Sequence, residues 1–275
     1  MIADPKTGRH IRILDAHQHL SFRDGDEYDV TLGERVDLLD SFGIDHAVLL
    51  PPSGAQGLGA PSMTAVNDFV ARTVEQAPER FVAGVAHIAL SEGEEACAAE
   101  LERAVNDLGM RGAVWHHRFQ GVHLDHGLMP NLLHQCADLG VPALIHLMAG
   151  SSLEATWRLE NLLEECPKTK VLALDAFSSF DRAGEVTLLA RKYPNLYCDL
   201  GCMPSTMAIP IMTYLEIIGA QRLVLGTDLY MTPQTWFFPS PVYEILHLNL
   251  TDKVKDAVLS GNAFELFSID KSRIS

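Results

Sequence analysis

Short apolar runs recur along the chain, each followed by a longer stretch in which apolar residues fall three and four apart. The runs are HIRILDAH, IDHAVLL, RFVAGVAHI, MRGAVWHH, VPALIHLM, KVLALDAF, NLYCDL and RLVLGTDL. The stretches between them include EEACAAELERAVNDLG, SLEATWRLENLLEEC and RAGEVTLLARKYP, whose spacing predicts helices with one buried face. Gly43, Gly109, Gly140, Pro194 and Gly219 stand just before strands, where helices end. Strands that are apolar throughout, with helices between them, predict a parallel sheet covered on both faces. Eight such units predict an α/β fold of one type, a single (β/α)8 TIM barrel with eight parallel strands. No G-x-G-x-x-G follows the first strand, so a dinucleotide-binding open sheet lacks its fingerprint. No linker or low-complexity tract divides the chain, and residues 1–275 read as one domain.

Composition narrows the function. Apolar residues make up 47% of the 275 positions, enough for a large core, and no run reaches the length of a membrane span. The first residues, MIADPKTGRHIR, lack the apolar stretch of a signal peptide. Five cysteines without a tight framework fit reduced thiols, and the expected location is the cytoplasm. A formal charge of −15 argues against a nucleic-acid partner. The expected partner is a small-molecule substrate, with neither nucleic acid nor membrane.

In a barrel of this kind the chemistry sits at the C-terminal ends of the strands. His17 and His19 end the first strand, His87 the third, His116 and Arg118 the fourth, His146 the fifth, Asp175 the sixth and Asp228 the eighth. Side chains alternate along a strand, so the imidazoles of His17 and His19 point the same way. Three imidazoles and a carboxylate converging at the mouth would make a site for a first-row divalent metal with positions left open. His116 and Arg118, two apart, share a face and suit a substrate carboxylate or carbonyl; His87 is a further substrate contact. Asp15 shares the face of His17 and His19 but lies deeper, and reads as a hydrogen-bonded acid of the barrel interior; His123 and His126 read as loop residues, and Cys198 and Cys202 as apolar packing. The segment LYMTPQTWFFPSP reads as a loop that walls an apolar pocket or makes the contact of a homodimer.

The ordered set DAHQH, RGAVWHHRFQGVHL, GVPALIH, RLVLGTD and LSGNAFELF resembles the amidohydrolase superfamily, in its amidohydrolase-related group of metal-dependent lactonases and aromatic-acid decarboxylases. The resemblance implies that His17, His19 and His146 ligate a divalent ion, usually zinc or manganese. It implies that Asp228 is a further ligand that moves the proton of a metal-bound water. Where some members carry a bridging lysine this chain has Val114 and His116, which implies one ion rather than two, with zinc the first expectation. Where the family has a histidine after the sixth strand, this chain has Asp175, a candidate ligand, base or acid. The expected activity is metal-dependent hydrolysis of a small cyclic or carboxylated substrate: a lactone, ester or amide. The alternative is metal-dependent non-oxidative decarboxylation of an aromatic or unsaturated acid. A non-catalytic relative is the third reading, disfavoured by the survival of His17, His19, His146 and Asp228 together.

Overall fold

The computed structural model describes residues 2–19, 29–52, 57, 62–229 and 238–270. Eight strands follow one another: β1 (Leu14–His19), β2 (His46–Leu50), β3 (Phe81–Gly84, resumed after Val85 at Ala86–His87), β4 (Ala113–Trp115), β5 (Ala143–His146), β6 (Val171–Leu174), β7 (Leu196–Asp199) and β8 (Leu223–Val224). Each pairs in parallel with the next. At β3 the pairing passes from one neighbour to the other, since Val85 N donates to Leu49 O and Ala86 N to Gly112 O. The ring closes between β8 and β1. Ala16 N donates to Leu225 O and Asp228 N to His17 O, each at 2.9 Å, and Gln18 bridges to Leu229. The fold is a TIM barrel.

Two apolar layers follow from the alternation of side chains. Leu14, Ala16, Val48, Leu50, Val114, Leu144 and Leu174 fill the barrel, together with Phe264 and Phe267 from the C-terminal end of the chain. The other face of each strand, such as Ile13, Leu49, Trp115 and Ile145, packs against the helices. The predicted helices lie at Glu94–Asn106, Thr156–Glu165 and Phe180–Lys192. Gly43, Gly109, Gly140 and Gly219 take left-handed φ of 65° to 90° before their strands, as expected of helix exits. No helix among the described residues is long and apolar enough to cross a membrane.

Three local expectations change. The first predicted strand is two elements: His10–Ile11 pairs antiparallel with Ile2–Ala3, and the barrel strand begins at Leu14. Within β1, Asp15 lies opposite Ala47 and Gln18 opposite Leu49, so three residues span what two span on β2. This bulge reverses the alternation, so that Ala16 faces the barrel core while His17 and His19 reach the mouth. Asp15 therefore does not share their face. Its carboxylate accepts from Thr227 N and Oγ1 and from the Gln18 amide, in a buried cluster at the β8–β1 seam. Finally, β4 ends at Trp115 and residues His117–Gln120 form a helical turn, so the strand argument that put His116 and Arg118 on one face does not hold.

Arg35 fastens the seam from outside the barrel. Its buried guanidinium donates to His19 O at 2.7 Å and to Gln18 Oε1 and Leu229 O at 3.1 Å, on both sides of the closure. Arg35→Met keeps the stem and strips these acceptors of a donor. The expected loss of unfolding free energy is roughly 3 kcal/mol, read from urea denaturation. A loss too small to resolve would show that the seam does not depend on this side chain.

Candidate metal centre

The mouth is built on three imidazoles whose Nδ1 positions are each tied to an oxygen. His17 Nδ1 donates to Asp199 Oδ2 at 2.7 Å, His19 Nδ1 to Pro51 O at 2.7 Å and His146 Nδ1 to Trp115 O at 3.0 Å. A ring that donates through Nδ1 carries its lone pair on Nε2. One nitrogen from each ring lies within 4.8 Å of the others, and Nε2 of His17 is 3.0 Å from Nε2 of His19. His146 Nε2 is buried without a hydrogen-bond partner among the described residues. Two lone pairs at 3.0 Å repel, so a positive charge belongs between them: a proton or a metal ion. Neutral imidazole is the ordinary ligand of zinc, and imidazole with carboxylate is a usual set for first-row divalent ions.

Two carboxylates complete the set. Asp228 Oδ1 lies 3.3 Å from His17 Nε2 and 3.5 Å from His19 Nε2. Asp175 and Asp228 each place an oxygen within 4.8 Å of one another and of a His17 nitrogen, and Asp175 Oδ1 has no hydrogen-bond partner among the described residues. Both residues follow strand ends with left-handed backbone, φ 59° and 56°. Such a conformation is costly for a residue with a Cβ and is found where function holds it. The loop AFSSF that follows Asp175 supplies its own helix cap. Ser179 caps the following helix, accepting from Arg182 N at 3.1 Å.

Asp199 organises the cluster from behind. While Oδ2 holds His17, Oδ1 accepts from Asp175 N at 2.8 Å and from Gly201 N at 3.0 Å. Two glycines make room. A Cβ on Gly201 would lie 2.6 Å from His17 Nδ1, and one on Gly226 would collide with Asp199 Oδ2. Cys202 adds a thiol that donates to Asp228 Oδ2 at 2.7 Å.

The electrostatics follow from burial and from the crowding of acids. Burial works against charging His17, yet the charges of Asp228 and Asp199 raise it to about 10. Burial and the charge on His17 push His19 far down; His146 is driven down by burial and by His116 and His17. Burial, then the charge of Asp228, holds Asp175 well above the usual carboxylate range. Burial and the two carboxylates also push the Cys202 thiol far up. Without a metal ion the surroundings therefore favour the proton-bound forms of His17 and Asp175.

One wall is a stacked pair. The His116 ring lies 3.9 Å from that of His146 at 12°, and its Nδ1 donates to Glu154 Oε1 at 2.8 Å. Glu154 is fully buried, also accepts from Arg118 N at 2.9 Å, and leaves Oε2 without a partner among the described residues. The structure thus gathers His17, His19, His146, His116, Asp175 and Asp228. The other two candidates make contacts of their own. The Arg118 guanidinium lies over the Phe119 ring, 5.0 Å from its centroid. His87 is buried, pushed down to about 4 by burial, and its backbone is clasped by the Asn67 side chain. His87 Nδ1 has no hydrogen-bond partner among the described residues. His123 is exposed. Residues 230–237, most of the expected wall LYMTPQTWFFPSP, lie outside the described residues.

A family model described as Amidohydrolase matches residues 14–269. The 2-keto-4-carboxy-3-hexenedioate hydratase of Sphingobium sp. (strain NBRC 103272 / SYK-6) is 32% identical over 108 residues, 37% of this chain and 31% of that protein. The match therefore spans less than a third of that relative. Among solved structures, 5-carboxyvanillate decarboxylase from Sphingomonas paucimobilis superposes with a TM-score of 0.74 at 18% identity, over 95% of this chain and 100% of the other. The 5-carboxyvanillate decarboxylase of Novosphingobium aromaticivorans DSM 12444, complexed with manganese and 4-hydroxy-3-methoxy-5-nitrobenzoic acid, gives 0.70 at 17% identity, over 94% and 96%. At these identities the likeness is one of fold.

A divalent ion entering this centre must displace the proton on His17. His17 is raised to about 10, so its proton-bound form dominates at neutral pH and loses ground as pH rises. Zinc or manganese affinity, measured by chelator competition, is expected to strengthen by about tenfold per pH unit for each proton expelled, from about pH 6 to pH 8. Asp199→Asn, which removes the charged acceptor of His17, is expected to weaken affinity by about 10–100-fold. Affinity independent of pH would show that metal and proton do not compete here.

Proposed function

The chain belongs to the amidohydrolase family, and within it we propose a metal-dependent lyase, a non-oxidative decarboxylase of an aromatic or unsaturated carboxylic acid. His17, His19, His146 and Asp228 hold one divalent ion, zinc or manganese, in this reading. The observation that carries it is the second carboxyl group. Hydrolysis needs an activated water and one base, for which Asp228 suffices. Decarboxylation must also deliver a proton to carbon. Asp175 is buried beside Asp228 with one oxygen unpartnered among the described residues, and burial and the neighbouring charge favour its acid form. Two acids whose surroundings push them apart mark a division of roles. The names of the similar proteins, two decarboxylases and a hydratase, support lyase chemistry.

When bound, the ion would supply positive charge that draws in the substrate's oxygens and stabilises negative charge developing next to the reacting carbon. Asp175 gives its proton to the carbon that bears the departing carboxylate. The carbon–carbon bond then breaks, its electron pair restores the ring or double bond, and carbon dioxide leaves. Asp175, now a carboxylate, regains a proton from solvent, so each turnover consumes one proton and releases one carbon dioxide. His116 offers its second ring nitrogen as an acceptor to a substrate hydroxyl, with Glu154 holding the ring in place. The Asp199–His17 bond keeps the nearest imidazole oriented through the cycle.

Hydrolysis of a lactone, ester or amide is the second reading, favoured by the closeness of Asp228 to both His17 and His19. The two are separated by supplying zinc- or manganese-loaded protein with a panel of aromatic and unsaturated acids and a panel of lactones. Release of carbon dioxide from an acid is expected. Asp175→Asn should lower that release by roughly a hundredfold or more, the scale of acid–base contributions, while binding on the order of one ion per chain. Replacing His17 and His19 together by alanine should remove the ion. Ring opening of lactones without decarboxylation, or full turnover by Asp175→Asn, would overturn the lyase assignment.

A further inference from the structure

No step above uses Cys202, yet its position is among the most constrained in the molecule. It lies three residues past the end of β7, 2% exposed, with a left-handed backbone at φ 50°. The same short segment, Asp199-Leu200-Gly201-Cys202, already supports the centre twice. Asp199 holds His17 from β1 and the backbone of Asp175 beyond β6, and Gly201 leaves room for the His17 ring. The turn at Cys202 then brings Sγ to 2.7 Å from Asp228 Oδ2. The other oxygen of that carboxylate, Oδ1, is the one near Nε2 of His17 and His19.

A carboxylate that can rotate offers a cation either oxygen, or both. A donor fixed on one oxygen settles which is offered. We propose that Cys202 is a positioning residue: its thiol donates to Asp228 Oδ2 and so presents Oδ1 alone to the ion held by the histidines, while the sulfur is not itself a ligand. This rests on the reading of the centre as a metal site. Partners behind the ligands commonly govern affinity by fixing ligand orientation. Here the partner is a thiol, whose long carbon–sulfur bonds span from the β7 turn to a residue beyond β8.

The test compares wild type, Cys202→Ala and Cys202→Ser, each first checked by circular dichroism and thermal melting. Zinc affinity is measured by chelator competition, and the visible and near-ultraviolet spectrum is recorded after loading with cobalt. Cys202→Ala is expected to bind zinc about 10–100-fold more weakly. Cys202→Ser, which keeps a donor, should bind close to wild type, and the cobalt protein should show no sulfur-to-cobalt charge-transfer band. Such a band in wild type would make the sulfur a ligand and overturn the proposal. So would unchanged affinity in the folded alanine variant, or a folded serine variant as weak as alanine. Wild type that binds neither zinc nor cobalt would overturn the metal reading and this proposal together. Wild-type binding with an indifferent alanine variant would overturn this proposal alone.

Discussion

The Asp199 carboxylate accepts from His17 through one oxygen, at 2.7 Å, and from two backbone amides through the other. Much else in the mouth follows from that bond. It fixes the tautomer of His17, and the tautomer decides that Nε2 faces His19, His146 and Asp228. It also holds the backbone at Asp175, whose left-handed conformation sets where its side chain starts. Because all these groups are buried, water cannot replace a missing partner, and each polar atom needs a protein atom or a ligand in reach. The cluster is an arrangement that is incomplete as protein alone.

The surrounding chain accepts unfavourable local conformations to make this possible. Asp175, Cys202 and Asp228 all have positive φ, and Gly201 and Gly226 occupy positions where a Cβ would strike His17 or Asp199. Each is unhelpful to stability by itself. They stand on a closed barrel whose two apolar layers hold the strand ends in place. The strain gathers where the strands stop, which is also where hydrogen-bonded sheet no longer dictates the backbone.

Much of this was legible in the sequence because it is periodic. Apolar runs alternating with amphipathic stretches specify strands, helices and their order, and the strand-end rule finds His17, His19, His146, Asp175 and Asp228. Asp199 obeys the same rule at the end of NLYCDL, but a lone aspartate after a strand differs in no visible way from a solvated one. Glu154 sits in a loop with no periodic signal. Its importance comes from His116, 38 residues earlier in the chain. Cys202 read as packing because thiols usually are. The bulge in β1 left no trace either: it exists only relative to the register of β2, and a one-residue offset is invisible until two strands are paired.

The seam between β8 and β1 has a consequence for how the protein comes into being. The residues that meet there are 211 positions apart for the bond from Asp228 N to His17 O. Contacts so distant in sequence carry the largest loop-closure cost and tend to form late. As the chain is synthesised, β1 to β7 can pair progressively while His17 and His19 wait for the eighth strand to deliver Asp228. Catalytic competence is thus acquired last, with the final turn of the ring. A chain stalled short of β8 could hold most of a barrel and none of the completed centre.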